Sequence, residues 1–157
     1  TMENWNRVIA VDLTGTFSCM RYELPQIVKS GGGAVVNCAS VAGLRAAPKV
    51  SAYTAAKHGV VGLTKAAARE YAAAGVRINA ICPGTVDTPL LRQWVQEQPN
   101  PAETVDFLNH IHVLGYCPEG DVVADVAAFL LSEQARFITG VTLPVSGGAE
   151  LGYRRLP

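Results

Sequence analysis

Charge is scarce in this sequence and has no sign: Lys and Arg number 13, Asp and Glu 13, and charged residues make up 17% of the 157. With no net field, the composition argues against a partner recognised through bulk charge, whether nucleic acid or an anionic membrane surface. Long apolar runs are missing too. The longest uncharged run, Ser30 to Leu44, contains three consecutive glycines and an Asn, and it falls short of the roughly 18 apolar residues a membrane span requires. The four cysteines, Cys19, Cys38, Cys82 and Cys117, form no CxxC pair, which disfavours a zinc site or a disulfide frame and suits thiols in a reducing cytoplasm, with Cys38 and Cys82 expected in core strands. The opening residues Thr1 to Trp5 carry neither a basic region nor an apolar signal core, so the expected location is cytoplasmic. What is abundant is apolar surface, at 49% of residues, enough for a globular core rather than a disordered chain.

The apolar pattern alternates between two periods. Residues 3–29 place Trp5, Val8, Ile9, Leu13, Phe17, Met20, Leu24 and Ile27 at three- and four-residue spacings, which predicts one helix with a broad apolar stripe, its last turns kinked or tightened by Pro25. Ser30 to Gly33 stops it, and residues 34–39 read as a short strand apolar on both faces, hence parallel and covered. Residues 51–74 predict a long helix rich in Ala and Gly all round, packed between a sheet and another helix. A second strand follows over 76–82, a helix over 121–132 and a third strand over 141–145. Between them, residues 88–119 carry Pro89, Pro99, Pro101 and Pro118 without clean periodicity and read as a mobile excursion with short helices, serving as a substrate lid. Strands alternating with helices define an α/β fold with a parallel sheet, whose sites gather beyond the carboxyl ends of the strands.

Three strand exits therefore bear inspection. Ser40 closes the first, and thirteen positions later Tyr53 begins Tyr53-Thr-Ala-Ala-Lys57, placing a phenol and an ammonium one helical turn apart on one face. A hydroxyl, a phenol and an ammonium converging there suit proton transfer. Free tyrosine, with a pKa near ~10, is a poor base at neutral pH. One positive charge about 5 Å away at an effective dielectric of 20 supplies roughly 3 kcal/mol in favour of the phenolate, the size needed.

Ser40, Tyr53-Thr-Ala-Ala-Lys57, Asn79-Ala-Ile-Cys-Pro83-Gly84-Thr-Val-Asp-Thr88, Ile138-Thr-Gly140 and Gly147-Gly148 together resemble the short-chain dehydrogenase/reductase family. The resemblance implies a Rossmann-type sheet with helices on both faces, of which residues 1–157 hold only the C-terminal, catalytic and substrate-binding half, about three strands. It implies a nicotinamide-dependent oxidoreductase that uses NAD or NADP to interconvert a secondary alcohol and a ketone. Tyr53 would be the acid/base, Lys57 would lower its pKa and bind the nicotinamide ribose, and Ser40 would hold the substrate oxygen. Pro83 and Gly84 would bring backbone to the nicotinamide, Val86 would meet its carboxamide and Thr88 the carboxamide or pyrophosphate. The family also implies a homo-oligomer, dimer or tetramer, built through helices 3–29 and 51–74.

Two departures stand out. Asp12 occupies the place of the family's usual Asn, and a negative charge there would oppose the phenolate; Ser146 replaces the usual Asp before Gly147-Gly148. No glycine-rich turn joins a first strand to a helix, since Gly31 to Gly33 precede their strand, so the usual backbone cradle for a pyrophosphate is not among these residues. Strand 34–39 would keep an unpaired edge. The competing expectation is an inactive, truncated family member with an assembly or scaffold role. His110 and His112 read as loop or substrate-lid histidines, no metal site is expected, and His58 reads as structural.

Overall fold

Thr1 starts the first helix with its own side chain, Oγ1 accepting from the Asn4 N–H at 3.2 Å. The computed structural model describes residues 1–46 and 48–152. Helix α1 (Met2–Val8) runs into a π-helical segment, Ile9–Thr14, and on into α2 (Gly15–Lys29). The expected single helix is thus interrupted by a widened turn centred on Asp12, and Thr16 Oγ1 donates to the Asp12 carbonyl at 3.1 Å. A π turn displaces side chains from the regular helical face without ending the helix. Pro25 is accommodated within α2. The chain reverses at Gly31 and Gly32, both with positive φ, and a Cβ on Gly32 would lie 2.6 Å from the Gly75 carbonyl oxygen, so the position admits only glycine.

Three parallel strands follow, β1 (Gly33–Cys38), β2 (Val76–Pro83) and β3 (Thr142–Val145), in the order β1-β2-β3 with Val35 opposite Ile78 and Ala80 opposite Thr142. Side chains alternate across β2 as the pleat dictates. Val76, Ile78, Ala80 and Cys82 face α2 and α3 (Ser51–Tyr71), joining Met20, Leu24, Val60 and Ala67 in the core. Ile81 faces the other way, against Leu130 of α6 (Asp121–Leu131). Helices on both faces of a parallel sheet make this a Rossmann-type α/β fold, and β2 is buried on both sides except at the half-buried Arg77 and Pro83. Among the described residues β1 pairs only with β2, so the expected free edge is present. No helix among them is long and apolar enough to cross a membrane.

The short helices expected in the excursion after β2 are α4 (Pro89–Gln96) and α5 (Pro101–His110), each with proline in its first turn and a side-chain cap, Thr88 Oγ1 accepting from Leu91 N–H and Asn100 Oδ1 from Glu103 N–H. Caps and prolines mark their starts, and helices of 8 and 10 residues are too short for periodicity to declare them. On α3 the small residues divide. Gly59 packs so closely that a Cβ would meet Leu13 at 2.8 Å, whereas Ala55, Gly62 and Ala66 face solvent.

Asn79 is fully buried on the α6 face of β2, where Nδ2 donates to the Ile138 carbonyl at 2.9 Å and Oδ1 accepts from the Val141 N–H at 3.1 Å. These bonds hold the approach to β3. Asn79→Leu orphans both backbone groups, and the expected loss is about 2–4 kcal/mol by urea unfolding at pH 7.5; a loss under about 0.5 kcal/mol contradicts this role.

Candidate active site

Ser40 leaves β1 in extended conformation, and its Oγ accepts from the Ala42 N–H at 3.1 Å, starting the short turn Val41–Gly43. Because the lone pair is used there, the hydroxyl hydrogen is free to turn outward. Gly43 presses against α3, where a Cβ would stand 2.7 Å from the Lys57 carbonyl oxygen. The first strand exit and α3 are therefore locked together, and this places Ser40 beside the helix that carries Tyr53 and Lys57.

Tyr53 occupies the first turn of α3, where the helix dipole favours negative charge. The Lys57 ammonium lies 5.4 Å from the centre of the Tyr53 ring. It donates to the Cys38 carbonyl at 3.2 Å and pairs with Asp12 Oδ1 at 3.2 Å, with the two charged side chains 12% and 24% exposed. Asp12, the departure noted in the sequence, thus holds the lysine directly. Cys38, expected in the core, is exposed at the carboxyl end of β1 and lines the site; Cys82 is buried, and burial pushes its thiol pKa up.

The second strand exit is fixed from behind. Gly84 N–H donates to the Val145 carbonyl at 3.1 Å, and a Cβ at Gly84 would come within 2.7 Å of His112 Nε2 and 3.1 Å of the Ser146 Cα. Thr85 N–H donates to His112 Nε2 at 3.0 Å, while the Thr85 carbonyl accepts from Cys117 Sγ at 3.3 Å. Asp87 N–H donates to the Pro118 carbonyl at 2.8 Å. Its carboxylate makes a two-pronged bond with Arg92 at 2.8 and 2.9 Å, which holds the Asp87 pKa below the usual carboxylate range. Ser146 is buried and donates to Glu150.

Ser40, Tyr53, Lys57, Pro83, Gly84 and Val86 line one open crevice of about 360 Å³ at the carboxyl ends of β1 and β2. Thr88 is not among its lining residues, and its Oγ1 caps α4. A separate hollow of about 240 Å³ between α4 and α5, lined by Leu91, Val95, Val105 and Leu108 with Asp87 and Arg92, includes none of Ser40, Tyr53 and Lys57. His58 is exposed, with Nδ1 at 2.9 Å from the Thr54 carbonyl oxygen, and His110 Nδ1 lies 2.7 Å from the Asp106 carbonyl oxygen. His112 lies in the loop that follows α5, but unlike a surface loop residue it is 1% exposed and sits under the Pro83–Thr88 loop. Nothing in its spacing announces this; the two glycines that make room for its ring, Gly84 and Gly147, are the only sequence trace.

The model of the family described as "Enoyl-(Acyl carrier protein) reductase" matches residues 1–150. A cyclohexanol dehydrogenase from Acinetobacter sp. (strain SE19) is 48% identical over 147 residues, covering 94% of this chain and 55% of that protein. The meso-2,3-butanediol dehydrogenase of Serratia marcescens is 40% identical over 149 residues, covering 95% of this chain and 57% of that protein. Among solved structures, "ElxO with NADP Bound" superposes with a TM-score of 0.88 at 35% identity, covering 97% of this chain and 60% of that one. The chain belongs to the short-chain dehydrogenase/reductase family, and it spans little more than half the length of these relatives.

Burial holds the His112 pKa below its ordinary value. Cys82, Asp87, Tyr116, Cys117 and Glu150 lie on the elements around the ring, and none is a cause of the shift. The folded state therefore resists a proton that the unfolded chain accepts, so this contribution to stability is whole above about pH 6.5 and declines as pH falls below it. Urea unfolding between pH 7.5 and 5.5 should lose stability more steeply in the native protein than in His112→Gln, by up to about 1.4 kcal/mol per pH unit. Parallel pH profiles would contradict the assignment.

Proposed function

We propose that this chain is the catalytic and substrate-binding half of a nicotinamide-dependent oxidoreductase that interconverts a secondary alcohol and a ketone. The observation that carries the reading is the convergence of Ser40, Tyr53 and Lys57 with the Pro83–Val86 backbone on one crevice. The names of relatives, a cyclohexanol and a butanediol dehydrogenase, support the same chemistry.

The residues present fit the nicotinamide end of a dinucleotide. Gly84 leaves its backbone bare at the crevice because a side chain there would strike His112, and Lys57 brings an ammonium suited to ribose hydroxyls. Pro83, Gly84 and Val86 would hold the ring and its carboxamide through main-chain groups, with Thr88 at the edge of the loop. NAD and NADP both fit this half, and the NADP-bound relative supports the general class. When bound, the dinucleotide supplies a two-electron hydride acceptor or donor at the substrate carbon.

The protein's own part is the proton and the oxygen. In oxidation, Tyr53 Oη as phenolate takes the hydroxyl proton of the alcohol while the carbon gives up a hydride; in reduction the phenol returns that proton to the ketone oxygen. Ser40 Oγ, already accepting from Ala42 N–H, donates its hydrogen to the same substrate oxygen. Lys57 and the first turn of α3 favour negative charge on Oη, and Asp12 keeps the ammonium in place while moderating its field. Residues 88–119, with α4 and α5, would close over the substrate as a lid. The exposed Trp5, Val11 and Phe17 on the first helix and the open small-residue face of α3 offer the surfaces through which copies would pair into a dimer or tetramer.

Tyr53→Phe removes the proton carrier and keeps the ring. In the native protein, assayed with NAD and NADP over secondary alcohols including cyclohexanol, turnover should fall at least about 10²-fold with an unchanged circular dichroism spectrum. Unchanged turnover would remove Tyr53 from this role.

A further inference from the structure

His112 holds a position that the proton chemistry above does not use. It is 1% exposed, and its Nε2 accepts the Thr85 N–H at 3.0 Å. An imidazole nitrogen that accepts carries no hydrogen, so the ring is neutral with its hydrogen on Nδ1. Nδ1 lies beside the Leu108 and Asn109 backbone without a hydrogen bond of normal geometry. The ring is wedged between two strand exits, since a Cβ at Gly84 would meet its Nε2 at 2.7 Å and one at Gly147 would meet its Cβ at 3.2 Å. Both peptide groups that flank the Thr85 Cα are thereby held, one through its N–H by His112 and the next through its carbonyl by Cys117 Sγ at 3.3 Å. Thr85 sits between Gly84 and Val86, both of which line the crevice.

We propose that His112 is a positioning residue for the dinucleotide: as the Nδ1–H tautomer it fixes the Thr85 peptide, and through it the Gly84 and Val86 main chain that receives the nicotinamide. This rests on the functional reading above. His112 touches neither substrate nor the reacting atoms; it acts through one backbone hydrogen bond and the close packing of two glycines. Burial supports the assignment by keeping the ring unprotonated, because an imidazolium would turn an N–H toward the Thr85 N–H, donor against donor.

The first test needs no catalysis. Long-range ¹H–¹⁵N correlation of histidine side chains in the native protein should assign His112 to the Nδ1–H tautomer at pH 7.5; an Nε2–H tautomer overturns the proposal. The second compares His112→Leu, which has no acceptor, with His112→Gln, whose Oε1 can accept from Thr85. The dissociation constant and KM for the dinucleotide should rise about tenfold in His112→Leu, the equivalent of one lost hydrogen bond, with a smaller fall in kcat, and His112→Gln should recover most of the affinity. If His112→Leu fails to fold, the tautomer and the His112→Gln affinity still decide, since tenfold weaker binding in His112→Gln contradicts rescue by an acceptor. Dinucleotide affinity indifferent to His112→Leu overturns this proposal alone. A native protein that binds neither NAD nor NADP overturns the functional reading and this proposal with it.

Discussion

One ammonium joins three elements of this structure. Lys57 projects from α3, donates to the carbonyl that ends β1 and pairs with Asp12 on the π-helical turn of the first helix. A lysine side chain that is only 12% exposed carries a desolvation cost, and a carbonyl and a carboxylate, each at 3.2 Å from its ammonium, offset it. The arrangement fixes where α3 stands along the sheet, and so where Tyr53, one turn nearer the helix start, meets Ser40 at the strand exit. Asp12 makes the grip on the lysine ionic, and in the functional reading it adds a negative charge to the neighbourhood in which Tyr53 would carry one.

The rest of the site depends on close backbone approach. Gly43 lets the turn after β1 lie on α3, Gly59 lets Leu13 of the first helix reach α3, and Gly84 lets the β2 exit pass over His112. At Gly43 and Gly84 the approach is too short for a Cβ without a shift of the Lys57 backbone or of the Ser146 backbone and the buried His112 ring, so the crevice is shaped by positions without a side chain as much as by those that bear chemistry. The sheet beneath has three strands, with β1 open on one side among the described residues. Relatives that match this chain are longer, and in the functional reading the grip on the adenosine half of the dinucleotide belongs to residues outside those described.

Much of this was legible because local rules sufficed. Strand periods located β1, β2 and β3 to within a residue, the helix period located α3 to within three at its end, and Ser40 with Tyr53 and Lys57 could be paired by counting, since helical spacing of four puts two side chains on one face. The π turn was not legible: a widened turn leaves the apolar spacing of residues 3–29 almost intact. Cys38 was misread because an apolar strand does not say where burial stops, and its last residue emerges at the crevice. His112 was invisible for a different reason. Its meaning comes from Gly84 and Gly147, 28 and 35 positions away, and only the assembled sheet brings them around the imidazole.

The central claim is that proton transfer and the nicotinamide meet in the crevice between β1 and β2. A crystal structure of the native protein with NAD or NADP and an unreactive alcohol analogue tests it most directly. The account predicts the analogue oxygen within about 2.6–3.2 Å of Tyr53 Oη and within hydrogen-bonding distance of Ser40 Oγ, with the nicotinamide against Gly84 and Val86 and the ribose at Lys57. A dinucleotide bound elsewhere, or an analogue oxygen turned away from Tyr53, would contradict it.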